Sequence, residues 1–155
     1  MLSIKWQRTP YDSGSHLRGQ RFNRPGQAAL YLGLDHAVAI AEFHQSILRP
    51  GTLAAYGVRS DAIVDLTDGP VRAAVETDLA TIGCDWKTIV ALQGGIPPTW
   101  TLADRLLAEG AHGALVPSFQ RAGGTNLVLW RWHAARTDGE GAAITLIDPT
   151  GELRP

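Results

Sequence analysis

Apolar residues fall in short runs separated by glycine, proline and polar clusters, and the periods of those runs predict a mixed set of elements. Leu2–Trp6 predicts a short strand and Ala28–Leu32 a buried one. Between them Thr9–Gly26 is polar, broken by Gly14, Gly19, Pro25 and Gly26, and carries Arg18, Arg21 and Arg24. A loop of that length inside a small domain is usually functional or disordered. Asp35 predicts the N-cap of a helix reaching about Leu48 and stopped by Pro50 and Gly51, with Ile40, Phe43 and Ile47 sharing one face. Short strands are predicted over Leu53–Val58 and Ala62–Leu66. Pro70 suits the first turn of a helix running to about Leu79. Further helices are expected from near Asp85 and over Thr101–Glu109, the latter closed by Gly110. Ala114–Val116, Asn126–Trp132 and Ala143–Ile147 predict three late strands, the last two joined by the turn-rich TDGEGA as a hairpin. Strands and helices alternate without a βαβ rhythm, which predicts α+β, not a doubly wound sheet.

Composition narrows the class. The chain has 155 residues, the length of one domain spanning 1–155, and its 45% hydrophobic and 19% charged fractions exclude global disorder. Fourteen basic against fifteen acidic residues leave a formal charge of −1, so there is no bulk electrostatic footprint for nucleic acid. A single cysteine, Cys84, cannot form an internal disulfide and fits a reducing cytoplasm. No secretory leader is evident at the start, and no apolar run is long enough to span a bilayer.

Several chemistries have no motif here. A phosphate-binding glycine loop ending in Lys-Ser/Thr, a G-x-G-x-x-G after a strand and a G-x-S-x-G nucleophile elbow are all missing. The histidines His16, His36, His44, His112 and His133 do not fall at metal-ligand spacings. His36 and His44 share a helix but point roughly 80° apart. No metal is expected, and Cys84 has no neighbouring base to make it a nucleophile.

Three local features carry chemistry. Gly19-Gln20-Arg21-Phe22-Asn23-Arg24-Pro25-Gly26 combines glycines, which let backbone approach a ligand, with guanidinium forks that match phosphate. Read alone, such a loop is more often ordinary solvated surface. Glu42 is the only Asp, Glu, Lys or Arg between His36 and Leu48 and is either a solvent-facing glutamate or a positioned catalytic carboxylate. Ser118 follows the strand ending Leu115-Val116-Pro117, a common place for a turn serine.

In this order the features become specific. G-x-R-aromatic-N, an A-L-Y-L strand, A-x-x-E on a helix, V-P-S and N-x-x-L together resemble the RES family, named for its Arg, Glu and Ser. The matching positions are Arg21, Tyr31, Glu42, Ser118 and Asn126, within a span of about Gly14–Trp132. The chain departs from the pattern at Gln20, where a second glycine is common, and at Phe22, where tryptophan is usual.

The resemblance implies an NAD-consuming toxin of a toxin–antitoxin pair. It also implies a fold like that of ADP-ribosylating toxins: a split, mainly antiparallel sheet with helices around an NAD cleft. Catalytic roles would fall to Glu42, Arg21 and Ser118, and NAD contacts to Arg21, Tyr31, Ser118 and Asn126. Glu42 would stabilise the cation developing on ribose, Arg21 would hold phosphate, and Tyr31 would offer a flat face to nicotinamide. Ser118 would bond ribose or the nicotinamide amide, and Asn126 would fix loop or ligand. Tyr31 and Asn126 are otherwise an ordinary half-buried tyrosine and strand-entry asparagine. The implied partner is an antitoxin carrying a helix-turn-helix DNA-binding domain. ADP-ribose would pass to a protein, with NAD glycohydrolase or phosphorylase activity as the alternative and a non-catalytic nucleotide-binding module as a further one. Ile40 occupies the position two before Glu42, so the E-x-E pattern of arginine-directed transferases is missing.

Overall fold

The computed structural model describes residues 1–3, 8–45 and 50–153. Its largest sheet has the order β2-β7-β6-β5, formed by β2 (Leu30–Gly33), β5 (Ile63–Asp65), β6 (Gly113–Pro117) and β7 (Thr125–Leu129). Its β2/β7 and β6/β7 pairs are antiparallel and its β5/β6 pair is parallel. A second sheet has the order β4-β9-β8, from β4 (Ala55–Arg59), β8 (Trp132–Ala134) and β9 (Ala142–Ile147). A small antiparallel pair joins β1 (Leu2–Ser3) to β3 (Gly51–Thr52). The fold is α+β, with antiparallel pairing dominant.

Strand alternation divides the core in two. Leu30, Leu127 and Leu129 face the second sheet and pack with Ala142 and Ile144. On the opposite face, Ala114, Val116 and Val128 pack with Phe22, Ile82, Leu102, Leu106 and Trp130. That second cluster joins the sheet to α3 (Leu79–Ile82) and α5 (Pro98–Ala108). The same period of two sets Tyr31 beside Val128 and Asn126 beside Val116.

The other helices are α1 (His36–His44), α2 (Gly69–Ala74) and α4 (Trp86–Ala91). Among the described residues, aspartates open four of the five α-helices. Asp35, Asp68, Asp78 and Asp85 each accept a hydrogen bond from the backbone N–H three residues on. Proline at the first helical position starts α5. Among the described residues no helix is long and apolar enough to cross a membrane.

Four expectations need correction. The helix predicted from Pro70 to Leu79 is two helices, because Glu76 takes a φ of +50° and Asp78 caps a new start. Asn126–Trp132 is not one strand: the carbonyl of His112 accepts from both Trp130 and Arg131, and the chain leaves one sheet for the other there. The TDGEGA segment does not close a hairpin, since β8 and β9 are parallel. Gly141, at a φ of +110°, lets the chain pass close to the Arg131 backbone as it enters β9; an added Cβ would lie 2.5 Å from that carbonyl. On α1 the buried face is Val38 and Ala39, while Ile40 is 40% exposed. Ile47 and the predicted end of this helix lie outside the described residues. The polar Thr9–Gly26 segment is ordered, with a 3-10 turn at Gly14–Leu17.

Candidate active site

Helix α1 packs on β2 and β7, and it approaches closely because Gly33 has no side chain. A Cβ on Gly33 would sit 2.6 Å from the Ala39 nitrogen. Glu42 lies one turn beyond Val38 and Ala39 on this inward face and is half-buried. Its Oε1 accepts from Ser118 Oγ and from Asn126 Nδ2, both at 2.7 Å. Oε2 has no hydrogen-bond partner among the described residues. One oxygen is clamped and the other is left to the cavity.

The clamp is itself oriented. Ser118 follows β6, and its hydroxyl oxygen accepts from the N–H groups of Gln120 and Arg121 at 3.3 and 3.1 Å. With those bonds made, its proton is directed at Glu42. Asn126 comes from β7 on the cavity-facing side of the sheet.

Arg21 enters the same space from the glycine-rich loop. Its Nη1 donates to the carbonyls of Cys84 and Ile82 at 2.6 and 3.3 Å. The guanidinium lies over the Phe119 ring, 4.7 Å from its centroid. Nε and Nη2 have no protein partner among the described residues. Burial lowers the Arg21 guanidinium from its ordinary value, an effect opposed by the negative charge of Cys84, Glu42, Tyr31 and Asp85 when ionised. A cavity of about 530 Å³, within the range of small-molecule sites, is lined by both Arg21 and Glu42. Tyr31, Phe43, Trp86 and Phe119 add aromatic surface to it. Lys87 Nζ donates to Gln45 Oε1 at 3.2 Å, linking α4 to the cap of α1 beside this space.

A protein-family model described as the RES domain matches residues 2–147, almost the whole chain. The chain belongs to the RES domain family. A search of curated proteins gives no match. RES domains are associated with NAD-consuming toxins of toxin–antitoxin systems, which points to an NAD-acting enzyme as the broad class.

In this RES domain, Arg21, Tyr31, Glu42 and Asn126 line one cavity, and Ser118 is buried behind Glu42. The Tyr31 ring reaches the cavity, but its hydroxyl turns away to accept from the Phe22 N–H at 3.0 Å and donate to Asn23 Oδ1 at 2.9 Å. Burial pushes that phenol well above its ordinary value. Phe119, Gln45 and Lys87 were not singled out from the sequence. Their contacts arise between elements far apart in the chain, and no local pattern marks them.

Proposed function

We propose that this RES domain cleaves NAD at the bond between nicotinamide and ribose and passes the ADP-ribose to a protein side chain. The observation that carries this reading is the arrangement of Arg21 and Glu42 on one cavity, with Glu42 Oε1 held by Ser118 and Asn126 and Oε2 open.

Nicotinamide leaves from a cationic ring, taking the electron pair of the broken bond and departing neutral. No general acid is needed, unlike the two-carboxylate arrangement of ordinary glycosidases. A single carboxylate therefore suffices. Glu42 Oε2 faces the ribose, accepts from a ribose hydroxyl and stabilises the developing oxocarbenium charge. Arg21 offers Nε and Nη2 to the pyrophosphate while Nη1 stays on backbone carbonyls. The Tyr31 ring gives nicotinamide an apolar face. Ser118 and Asn126 act by holding Glu42. The antitoxin partner would block this cavity and supply any DNA binding.

Isoleucine at position 40, two before Glu42, counts against arginine as the acceptor side chain and leaves other side chains, water or phosphate open as acceptors. Residues two apart on a helix lie about 200° from one another. Ile40 is accordingly on the exposed side of α1.

Incubation with NAD and assay of free nicotinamide tests the activity. Glu42→Gln should lower turnover roughly 10²–10³-fold while NAD still binds. Tight NAD binding without nicotinamide release from the unaltered protein would make it a nucleotide-binding module instead.

A further inference from the structure

The turn that carries Arg21 has its backbone groups taken by side chains from three separate parts of the fold. Gln20–Asn23 closes on itself, Gln20 N–H donating to Asn23 O at 2.9 Å and Asn23 N–H to Gln20 O at 3.4 Å, with Arg21 and Phe22 at the tip. Trp100 of α5 donates its indole N–H to Gln20 O at 2.7 Å. Trp130, just past β7, donates its indole N–H to Phe22 O at 2.9 Å. Tyr31 of β2 takes the Phe22 N–H and bonds Asn23 Oδ1. Asn23 is fully buried and sends Nδ2 to the carbonyls of Gln27, Ser15 and Arg24 at 2.7, 3.2 and 3.3 Å.

Two of the chain's five tryptophans thus converge on one short turn. A surface loop ordinarily leaves such groups to water and stays mobile. Here the backbone on both sides of Arg21 is bonded within the protein, and the guanidinium is bonded at its far end to Cys84 O.

We propose that Asn23 and the Tyr31 hydroxyl, with the indoles of Trp100 and Trp130, are positioning residues for Arg21. They hold the arginine so that its two unshared donors already point where an anionic ligand group binds. The cost of ordering a loop on binding is thereby removed. Tyr31 has two separable parts: a ring that faces the cavity and a hydroxyl that acts at a distance through the turn.

Tyr31→Phe isolates the second part, since it keeps the ring and deletes the hydroxyl. The kinetic arm rests on the NAD reading above and is a double-mutant cycle with Arg21→Ala on kcat/KM for nicotinamide release. Tyr31→Phe should cost roughly 10- to 30-fold in the unaltered background and less than about 3-fold once Arg21 is gone. A loss equal in both backgrounds, or no loss in either, overturns the proposal. The second arm needs no substrate: nitrogen relaxation of the Arg21 Nε–H group and exchange of the Phe22 amide, both by NMR on the free protein. Tyr31→Phe and Trp100→Phe should each loosen Arg21 and speed that exchange. If either lowers the melting temperature and leaves Arg21 as ordered as before, the turn is scaffold only and the proposal fails. If the unaltered protein releases no nicotinamide, the NAD reading fails by itself, and the NMR arm still decides this one.

Discussion

Glu42 and Arg21 carry opposite charges into one cavity and are held by different means, the carboxylate by two side-chain donors and the guanidinium by two backbone carbonyls. That difference predicts how each tolerates change. Lysine at position 21 keeps the charge but has one nitrogen, which cannot bond Cys84 O and reach a ligand phosphate in the manner of a fork. It also loses the guanidinium held over the Phe119 ring. NAD affinity measured by calorimetry should fall about 10-fold or more in Arg21→Lys, the loss of one charge-assisted bond. Unchanged affinity would make Arg21 a loop residue with no ligand. At this scale the motif picks out Arg21, Tyr31, Glu42, Ser118 and Asn126 in order along the chain, and the fold brings them to one place. The sequence was silent on what each hydroxyl and amide does. The hydroxyl of Ser118 is directed at Glu42 and that of Tyr31 at Asn23, and both bonds join residues whose proximity only the folded sheet creates.

Helix α1 is where an element decides the chemistry. Its start was legible, because Asp35 followed by an apolar stretch is a strong N-cap signal, and Asp35 does accept from Val38 N–H. Its facing was not. Ala37, Val38, Ala39, Ile40, Ala41 and Phe43 are apolar nearly all round, so periodicity cannot choose between the Ile40/Phe43 side and the Val38/Ala39 side. What the fold adds is the bare backbone of Gly33, against which the small Ala39 seats. Gly33→Ala should therefore push α1 off β2, costing about 1–3 kcal/mol by overpacking and displacing Glu42 one turn further on. Thermal melts should drop and nicotinamide release should fall together. A variant with full stability and activity would show that α1 is free to shift. The parallel β8/β9 pair escaped prediction for a related reason. A short glycine-rich connection normally closes antiparallel strands, and parallel neighbours usually need a crossover of a dozen or more residues. Here the chain changes sheets at Trp130–Arg131 and returns alongside itself.

For the whole molecule, α+β was readable from irregular alternation of elements. The division into two sheets was not readable from the residues alone, since it depends on which strands pair across the chain. That division leaves one face of the four-stranded sheet to α5 and the arginine turn, and the cavity opens at the edge of this face. Its walls bear on the fate of ADP-ribose. Transfer to a protein requires that water be kept from the activated sugar until an acceptor arrives. Val38 and Ala39 are buried behind Glu42, and Phe43, Val116 and Val128 give the cavity an apolar wall near it. Isoleucine in place of a glutamate two before Glu42 argues against an arginine acceptor and not against others. A transferase of this shape should turn over NAD slowly when isolated and leave a mass increment on a particular protein. Intact-protein mass spectrometry of a lysate incubated with labelled NAD reads that increment directly. Rapid NAD loss with all label in free ADP-ribose or its phosphate, and no tagged protein, would make water or phosphate the acceptor. The cavity would then act by depleting NAD, with Glu42 and Arg21 in the same roles.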